Sequence, residues 1–419
     1  MNILLLLPII IVFSGLYLLV KLRFFFIAHP KRTLIFLKRA ILKKGAFQSL
    51  CLSLAGTLGI GNIIGVAFGI SVGGAGSVFW LFLSSIFSLI IKFSEACLSS
   101  DMKLSRGGMT EAIEKSFKSK APAYFYAILC LALSLTMGAA LQSRSAVESL
   151  TDGDKILIPS IAFAFLVALA ILGGAKRIEK ISTYIIPLAT LIYIALTLFV
   201  ITLNFSRLPS VLSAIIRDAF KLESAFGGVG AFAIISKMRE GFARGLLSNE
   251  AGAGTSAFAH ARNSSSPVSV GLIGMCEVVF DTVILCMLTA FAVLLAVPSP
   301  ESYASGLEII KAALSSLGFA ASPILSASIF AFAFSTVICW YYYGVCALSY
   351  LTEKCRYVFA FLYIVAVFLG SLTTLSSLIV LSDYLLFFLS LISLTTLIKN
   401  SDRLVYLSEN EGLLKKSDS

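Results

Sequence analysis

Long runs of apolar residues recur along the whole chain, and they limit the protein to a small set of folds. A helix needs about 20 apolar residues to cross a bilayer, and we count eleven runs that approach or exceed this length. Only 13% of the 419 residues are charged, whereas a soluble domain carries about 25%. Because backbone groups must pair internally within lipid, the runs predict membrane-spanning helices. The predicted spans are residues 3–22, 48–71, 76–99, 122–147, 156–173, 180–203, 224–247, 268–296, 320–349, 357–380 and 383–398.

The basic residues are unevenly divided between the two sides of this predicted bundle. Loops on one side hold 26 Lys and Arg, the opposite loops hold five, and two more lie within spans. The positive-inside rule then places the N-terminus outside and the C-terminus in the cytoplasm. The net charge of +11 reflects this topology and contact with anionic lipid, and does not indicate nucleic acid as a partner. We expect a multi-pass protein of a bacterial inner membrane, with no obligate protein partner indicated.

The second span combines many glycines with one amide side chain. Its segment GTLGIGNIIGVAFGI covers residues 56–70 and includes Asn62. Glycine is a poor helix former, and an amide in hydrocarbon is costly without a partner. We therefore predict that the helix is interrupted near residues 59–61, where freed amides suit a carboxylate and freed carbonyls suit a cation or an ammonium group. Gly65 and Gly69 are interpreted as a close helix-packing face.

The seventh span has a similar irregularity, with GGVG at residues 227–230. It would cross the membrane in the opposite direction to the second span. Interrupted helices at matching positions of two antiparallel halves are typical of inverted-repeat transporters. We therefore predict one transmembrane domain over residues 1–400. Its parts are an extra N-terminal helix with an amphipathic linker (1–46), a first repeat of spans 2–6 (47–204) and a second repeat of spans 7–11 (205–400), followed by a cytoplasmic tail (401–419).

These motifs resemble the alanine or glycine:cation symporter family, which includes sodium:alanine symporters and D-alanine/glycine permeases. The matching segments are GTLGIGNIIGVAFGISVGGAGSVFW followed by KFSEA, FARGLLSNEAGAG, AILGGAKRIEKIS, FDTVILCMLTA and FAFSTVICWYYYG. The resemblance covers about residues 10–350 of this chain. It implies an all-α leucine-transporter-like fold of about eleven transmembrane helices. It also implies sodium-coupled import of alanine or glycine, with D-alanine as a further candidate.

The resemblance also implies a set of binding residues. For the substrate they are Thr57, Gly59, Ile60, Gly61, Asn62, Gln142, Gly228 and Trp340. For the co-transported sodium ion they are the carbonyls of Ala55 and Leu58, the hydroxyls of Ser335 and Thr336, and Asp281. Alternatives stay open for several of these residues. Ser335 and Thr336 can bond to their own helix, Gln142 can tie helices together, and Trp340 can be an ordinary core aromatic.

Asp281 is a carboxylate inside a predicted span, which makes it a functional candidate by default. It can serve a cation or a proton, or it can pair with Arg144. This chain departs from the family pattern at two site positions. Ile60 replaces a threonine, and Arg144 replaces an asparagine and can neutralise Glu148. A site at Ile60 depends on backbone groups, because its side chain has no hydroxyl.

Two further motifs are interpreted as structural. SNEAG, residues 248–252, falls at the predicted cytoplasmic end of span 7 and suits a helix cap, with an inner gate as the alternative. Lys92 and Glu95 are spaced as neighbours on one helix face and are expected to pair near the cytoplasmic surface. The eight cysteines show no CxxC spacing, and the two histidines are far apart in sequence, so no disulfide framework or histidine metal site is indicated.

Besides a structural or channel-like membrane protein, which would not need two interrupted helices in antiparallel repeats, two functions compete with sodium-coupled import. The first is the same fold with proton coupling or another small substrate. The second is an integral membrane enzyme, which would need clustered acids or a nucleophile near one surface. The chain contains no DxxD, HExxH or GxSxG motif that would support an enzyme.

Overall fold

The protein is described by a computed structural model over residues 6–43, 45–102, 108–151, 156–220, 228–261, 263 and 265–414. Within these ranges the side chains of residues 228–236, 246–247 and 375–377 are not described. The regular secondary structure of the described ranges is entirely helical. Every predicted span overlaps a helix or a pair of joined helices, but the predicted span 357–380 extends past the end of α19 at Ser371 into α20.

The helices of the first half are, in chain order, α1 (Leu6–Lys21), α2 (Phe25–Ala28), α3 (Pro30–Ile41), α4 (Ala46–Thr57), α5 (Ile64–Gly73), α6 (Gly76–Asp101), α7 (Met109–Phe117), α8 (Lys120–Leu133), α9 (Gln142–Leu150), α10 (Leu157–Leu172), α11 (Gly174–Leu203) and α12 (Leu208–Ala219). Those of the second half are α13 (Gly228–Asn249), α14 (Ser256–His260), α15 (Pro267–Val278), α16 (Met287–Ala296), α17 (Gly306–Leu314), α18 (Ala321–Leu351), α19 (Arg356–Ser371), α20 (Leu375–Lys399) and α21 (Ser401–Asn410).

Two of the long spans contain a π-helical segment. Ser134–Leu141 joins α8 to α9, and Val279–Cys286 joins α15 to α16. A π-helix widens the turn by one residue, and such segments are frequent at functional sites. Both segments lie beside the candidate site described below, and the sequence analysis anticipated neither of them.

Six of the described helices or joined helices are long and apolar enough to cross a membrane, and the bent pair formed by α4 and residues 60–73 makes a seventh. Helices α1, α10 and α19 are apolar but shorter. The remaining predicted span corresponds to α13, which carries several charged side chains. The total of eleven crossings therefore stays a prediction.

The second span is interrupted where the sequence predicted it. Helix α4 ends at Thr57, and the chain bends by 66° before it continues as Ile60–Gly73. Gly59 is extended at the bend, and a short 3-10 turn over Ile60–Asn62 follows it. The bend frees backbone groups of both helix ends, as expected for a broken membrane helix.

The seventh span is also interrupted, but the predicted position was wrong. Helix α13 starts at Gly228 and runs without a break to Asn249, so the described residues 228–230 of the GGVG motif mark its beginning. The break covers residues 250–255, where Glu250, Gly252 and Gly254 have positive φ angles. A glycine inside a helix costs only about 1 kcal/mol, which packing can offset. Three left-handed residues within five end a helix outright.

The two broken spans run antiparallel, and each half of one span packs against one half of the other. Helix α4 packs on α14, and α5 packs on α13. The loop helices α3 and α7 lie at the end of the bundle where α4 begins, which we call the α3 end. Helices α12 and α17 lie at the opposite end, the α17 end.

The last described helix, α21, closes the bundle at the α3 end. Lys21 at the end of α1 pairs with Asp402 at 2.8 Å, and Arg23 pairs with Glu409 at 2.7 Å. Leu404 is fully buried. Residues 401–414 are therefore packed against the membrane helices, although the polar sequence was interpreted as a tail.

Candidate functional site

A cavity of about 220 Å³ extends from the first break towards the α17 end. The backbone around Thr57 and Gly59 borders it on one side, and Gly306 and Leu307 of α17 border it on the other. Most of its wall is apolar. Its polar side chains are Thr57, Gln142, Glu148, Arg244, Glu250 and Ser305. Among the predicted substrate residues, the cavity is lined by Thr57, Gly59, Ile60, Gly61 and Gln142.

Neighbouring helices hold the first break open through its backbone. The amide of Ile60 donates to Gln142 Oε1 at 3.1 Å. The hydroxyl of Thr336 donates to the carbonyl of Leu58 at 3.2 Å, and Trp340 Nε1 donates to the carbonyl of Gly56 at 3.2 Å. These contacts replace helical hydrogen bonds that the bend has removed. Neutral side chains of neighbouring helices therefore hold the break in this conformation.

Two glycines allow this close approach. A Cβ atom on Gly59 would lie 2.7 Å from Gln142 Oε1, and one on Gly56 would lie 2.6 Å from the hydroxyl of Tyr343. Trp340 is fully buried behind the break and does not line the cavity. Its Cβ atom would lie 2.4 Å from a Cβ atom on Gly138, a residue of the first π-helical segment. Trp340 thus supports the wall from behind.

Asp281 lies on the second π-helical segment, between the two breaks. Its Oδ1 accepts a hydrogen bond from Asn62 Nδ2 at 2.6 Å, just beyond the first break. Its Oδ2 accepts from the hydroxyl of Ser248 at 2.6 Å, just before the second break, and from that of Thr282 at 2.8 Å. One buried carboxylate therefore joins both interrupted helices.

Two buried oxygen atoms of the first broken span have no hydrogen-bond partner. Asn62 Oδ1 and the hydroxyl of Thr57 are buried and unpaired. A buried acceptor without a donor is unfavourable, and these two oxygens together with the Asp281 carboxylate suit a small hard cation. The residues present thus fit a cation, although no cluster of three His, Cys, Asp or Glu is found among the described residues.

The other predicted sodium ligands lie between α4 and α18. Thr336 reaches the carbonyl of Leu58, and Ala55 is fully buried one turn earlier. The hydroxyl of Ser335 donates to the carbonyls of Ala331 and Phe332, both at 2.9 Å, and so bonds to its own helix. Thr336 also donates to Phe332 at 2.9 Å. The structure brings Leu58 and Thr336 into contact, with Ala55 one turn earlier on α4 and Ser335 next to Thr336 on α18.

The second break is polar and is held by an acid on α6. Glu95 Oε1 accepts from the amides of Gly252 and Gly254 at 2.8 and 2.9 Å, and its Oε2 accepts from Ser256 at 3.3 Å. The hydroxyl of Thr255 donates to Glu250 at 2.7 Å. The SNEAG segment was expected at the cytoplasmic end of the span. It instead lies level with the first break, because Ser248 and Asn62 contact the same carboxylate.

The structure settles the ion pairs of Lys92 and Arg144. Lys92 and Glu95 are fully buried, and Lys92 Nζ lies 3.3 Å from Glu277 while Glu95 binds the second break. The expected Lys92–Glu95 surface pair was therefore wrong. Arg144 lies 3.3 Å from Glu148 and donates to the carbonyl of Ser371, which confirms the Glu148 alternative over a pair with Asp281.

One predicted substrate residue, Gly228, is the first residue of α13, and the surroundings of residues 221–236 lie outside the described part of the chain. The sequence reasoning missed Ser248, Thr282, Glu95 and Glu277 as neighbours of the breaks. Glu277 carried a usable signal, because it is a second acid inside the eighth predicted span. Ser248 and Thr282 carried none, because hydroxyls are common in membrane helices.

Comparison with known proteins places this geometry in a family. The sequence pattern of the sodium:alanine symporter family matches residues 1–408. The probable sodium/glutamine symporter GlnT of Bacillus subtilis is 33% identical over 75% of this chain and 67% of its own length. The putative sodium/proton-dependent alanine carrier protein YrbD of the same organism is 34% identical over 74% and 67%.

A solved structure shows the same fold. The crystal structure of MhsT in complex with L-phenylalanine superposes with a TM-score of 0.62 at 13% identity, covering 88% of this chain and 98% of that one. This likeness confirms the predicted leucine-transporter-like fold. The family comparison confirms the predicted family and that the protein is a carrier and not an enzyme. The chain belongs to the sodium:alanine symporter family, whose members are membrane carriers that couple amino-acid transport to a cation.

Proposed function

We propose that this protein is a sodium-coupled symporter that imports alanine or glycine, with D-alanine as a third candidate, by alternating access. The observation that carries the proposal is the position of Asp281. It contacts Asn62 beyond one break and Ser248 before the other, beside a cavity lined by the first break. A cation held there would stabilise one arrangement of both interrupted helices.

Two groups of oxygen atoms support sodium as the coupling ion. The first comprises Asp281, Asn62 Oδ1 and the hydroxyl of Thr57, of which the last two are unpaired. The second comprises the carbonyls of Ala55 and Leu58 with the hydroxyls of Thr336 and Ser335. Unwound carbonyls and helix C-terminal ends coordinate sodium in transporters of this architecture. An ion at either position is attracted by the negative end of α4.

The cavity supports a small neutral amino acid as the substrate. Its wall at the break is backbone from Gly59 to Gly61 together with the apolar side chain of Ile60. Amides at the start of the second half-helix suit the substrate carboxylate. Because Gln142 already bonds the Ile60 amide, its side chain would rotate or share that donor when the carboxylate binds. Gly228 and Trp340 complete the proposed set, Trp340 from behind the wall.

The charge distribution supports an orientation. Most described basic residues of the larger set lie at the α3 end, whereas Lys237, Arg239 and Arg244 lie on α13, where Lys237 pairs with Asp218 of α12 near the α17 end. By the positive-inside rule the α3 end is cytoplasmic, so the cavity extends towards the outside of a bacterial inner membrane. The N-terminus would be outside and the C-terminus inside. The inward sodium gradient would then drive import, and membrane potential adds about 2.3 kcal/mol per charge at 100 mV.

Uptake into proteoliposomes tests the proposal. Purified protein is reconstituted, and entry of radiolabelled alanine and glycine is measured with an inward sodium gradient and with a matched potassium gradient. We expect uptake only with sodium, and competition by unlabelled D-alanine but not by glutamine. Glutamine is the relevant competitor because a relative is named as a sodium/glutamine symporter. Absence of uptake for both labelled amino acids would reject the substrate assignment.

Proton coupling is the second candidate, favoured by one observation. The relative YrbD is named a sodium/proton-dependent alanine carrier, and Asp281 can carry a proton as well as face a cation. If uptake is driven by an inward pH gradient and does not depend on sodium, the coupling ion is a proton. The substrate assignment would be unaffected.

A further inference from the structure

One acid of the second break borders the candidate cavity with few partners of its own. Glu250 is 2% exposed, and it lines the cavity together with Gly59 and Gly61 of the first break. Within the described part of the chain its carboxylate accepts a single hydrogen bond, from the hydroxyl of Thr255 at 2.7 Å. An ionised carboxylate offers about four acceptor positions. Most of the acceptor capacity of Glu250 is therefore left beside the cavity.

Three other buried acids near the breaks are better compensated. Glu95 accepts hydrogen bonds from two backbone amides and a hydroxyl. Asp281 accepts them from one side-chain amide and two hydroxyls. Glu277 lies 3.3 Å from Lys92, which is the only buried Lys or Arg among the described side chains. Lys92 is within electrostatic range of Glu250 but is paired with Glu277. Among these four acids, Glu250 has the fewest partners.

The surroundings of Glu250 favour a positively charged partner. A charge in a low-dielectric interior is strongly unfavourable unless an opposite charge compensates it. Asp281 and Glu277 lie within electrostatic range of Glu250 and add to the negative potential. Arg244 is the one cationic side chain that lines the described cavity, and it is bonded to Glu240 at 3.2 Å. A positive group that enters the cavity is therefore attracted to Glu250.

The backbone at Glu250 adds a second, independent observation. Its φ angle is +53°, in the left-handed region where glycine is the usual residue. Gly252 and Gly254 of the same break also have positive φ angles. Strained residues other than glycine persist only where the surrounding structure holds them, and they cluster at binding sites. The break thus keeps a carboxylate at a position where glycine would suit the backbone better.

We propose that Glu250 binds the α-ammonium group of the transported amino acid. This inference rests on the proposed function and adds a side-chain ligand to it. The substrate carboxylate faces the amides at Gly59–Gly61, and the ammonium group donates to Glu250 across the same cavity. One zwitterion then connects the two breaks, beside the cation at Asp281. The contacts are hydrogen bonds between opposite charges, and no covalent bond forms or breaks.

The role of Glu250 restricts the substrate to molecules that carry a positive amine next to a carboxylate. Lactate has nearly the shape of alanine, but a hydroxyl group replaces the ammonium group. Charge-assisted hydrogen bonds are about twice as strong as neutral ones. Lactate should therefore bind much more weakly than alanine, although both fit the same space.

Binding of radiolabelled alanine to the full-length protein in nanodiscs, at saturating sodium, tests this role. Glu250→Gln keeps the length of the side chain and an acceptor for Thr255, but it removes the charge. We expect the dissociation constant for alanine to rise about 10- to 100-fold, while competition by unlabelled lactate changes little. The matched variant Glu301→Gln, at an exposed residue, should bind alanine as the wild type does.

A second variant separates charge from shape. Glu250→Asp keeps the charge on a shorter side chain, so it should bind alanine more tightly than Glu250→Gln. A purely structural role predicts the reverse order, because glutamine matches glutamate in size. Wild-type affinity in Glu250→Gln, equal losses for alanine and lactate, or tighter binding by Glu250→Gln than by Glu250→Asp would each overturn the proposal. If Glu250→Gln does not fold, competition in the wild type decides, and lactate as effective as alanine would overturn it.

Failure of the proposed function and failure of this inference give different results. A wild type that binds neither alanine nor glycine rejects the substrate assignment, and the role of Glu250 with it. A wild type that binds alanine, together with a Glu250→Gln variant that binds it equally well, rejects the role of Glu250 alone.

Discussion

At both interrupted spans, side chains of other helices replace the lost backbone hydrogen bonds, but hydrogen-bond donors do so at the first break and an acceptor does so at the second. At the first break, side chains of α18 donate to freed carbonyls, Thr336 to Leu58 and Trp340 to Gly56. At the second break, an acid accepts from freed amides, Glu95 from Gly252 and Gly254. The first break is therefore made of glycine and apolar surface, and the second of polar side chains.

The difference in hydrogen-bond partners indicates different roles for the two breaks. Carbonyls at the first break are bonded by neutral donors, which a cation can displace or supplement at low cost. Amides at the second break are bonded by a buried carboxylate, and charge-assisted hydrogen bonds are about twice as strong as neutral ones. We infer that the first break is the adaptable binding surface and that the second is the fixed element against which it works.

The strongest way to break this comparison is Glu95→Ala. It leaves the amides of Gly252 and Gly254 buried without an acceptor, at about 1–3 kcal/mol each. We expect a clear fall in the thermal unfolding midpoint of the purified protein and loss of alanine uptake. Glu95→Gln keeps one acceptor oxygen and should lie between this variant and wild type. If Glu95→Ala melts like wild type, the second break is not held by this acid.

Asp281→Asn tests whether the two breaks act as one site. Removing one member of a buried charge-assisted network costs about 2–5 kcal/mol, and about 1.4 kcal/mol corresponds to tenfold. We expect sodium-driven uptake to fall at least about 30-fold, measured as initial rates in proteoliposomes with equal protein. Asp402→Asn, whose side chain is 88% exposed, is the control and should transport normally. Retained uptake in Asp281→Asn would remove this carboxylate from the coupling site.

Gly56→Ala perturbs only the first break. Its added Cβ would lie 2.6–3.0 Å from the hydroxyl and ring atoms of Tyr343. That side chain is buried in the bundle and has no room to move away. Overpacking of this kind costs about 1–3 kcal/mol, so we expect a lowered melting midpoint. Gly65→Ala, in the same glycine-rich segment, would meet only one atom, at 3.9 Å, and should melt like wild type or slightly higher. Equal midpoints for the two variants would show that the predicted steric conflict is absent.

Thr336→Val makes the smallest change, because it removes one hydroxyl and keeps the shape. Loss of its bond to the Leu58 carbonyl costs about 1 kcal/mol, so we expect the sodium concentration for half-maximal uptake to rise about fivefold. Ser335→Ala should raise it less, because that hydroxyl already bonds twice to its own helix. A larger effect at Ser335 than at Thr336 would reverse the assignment of ligands between them.

The sequence was most informative where local composition determines the structure. The first break could be predicted because five glycines and Asn62 within one apolar run oppose a continuous helix. The second break was misplaced because GGVG is richer in glycine than NEAGAG. What determines the real position is Glu95, which lies 157 residues from Gly252 in sequence and binds its amide. No local pattern contains that contact.

The prediction of a Lys92–Glu95 pair was wrong for a related reason. Lys92 and Glu95 are neighbours on a helix face by spacing, and spacing alone predicts a pair. In the folded bundle that face is buried, and each side chain meets a partner from another helix. The Arg144–Glu148 pair was predictable because both residues lie on one helix, four positions apart.

The two π-helical segments mean that part of the site is encoded by the number of residues and not by their identity. Gln142 follows the first segment directly, and Asp281 lies within the second. Deleting one residue upstream of either side chain, in its own segment, would restore an ordinary helix and turn that side chain by about 100° around the axis. Mutational scans that only exchange residues would overlook this dependence, whereas single-residue deletions in Ser134–Leu141 or Val279–Cys286 would expose it.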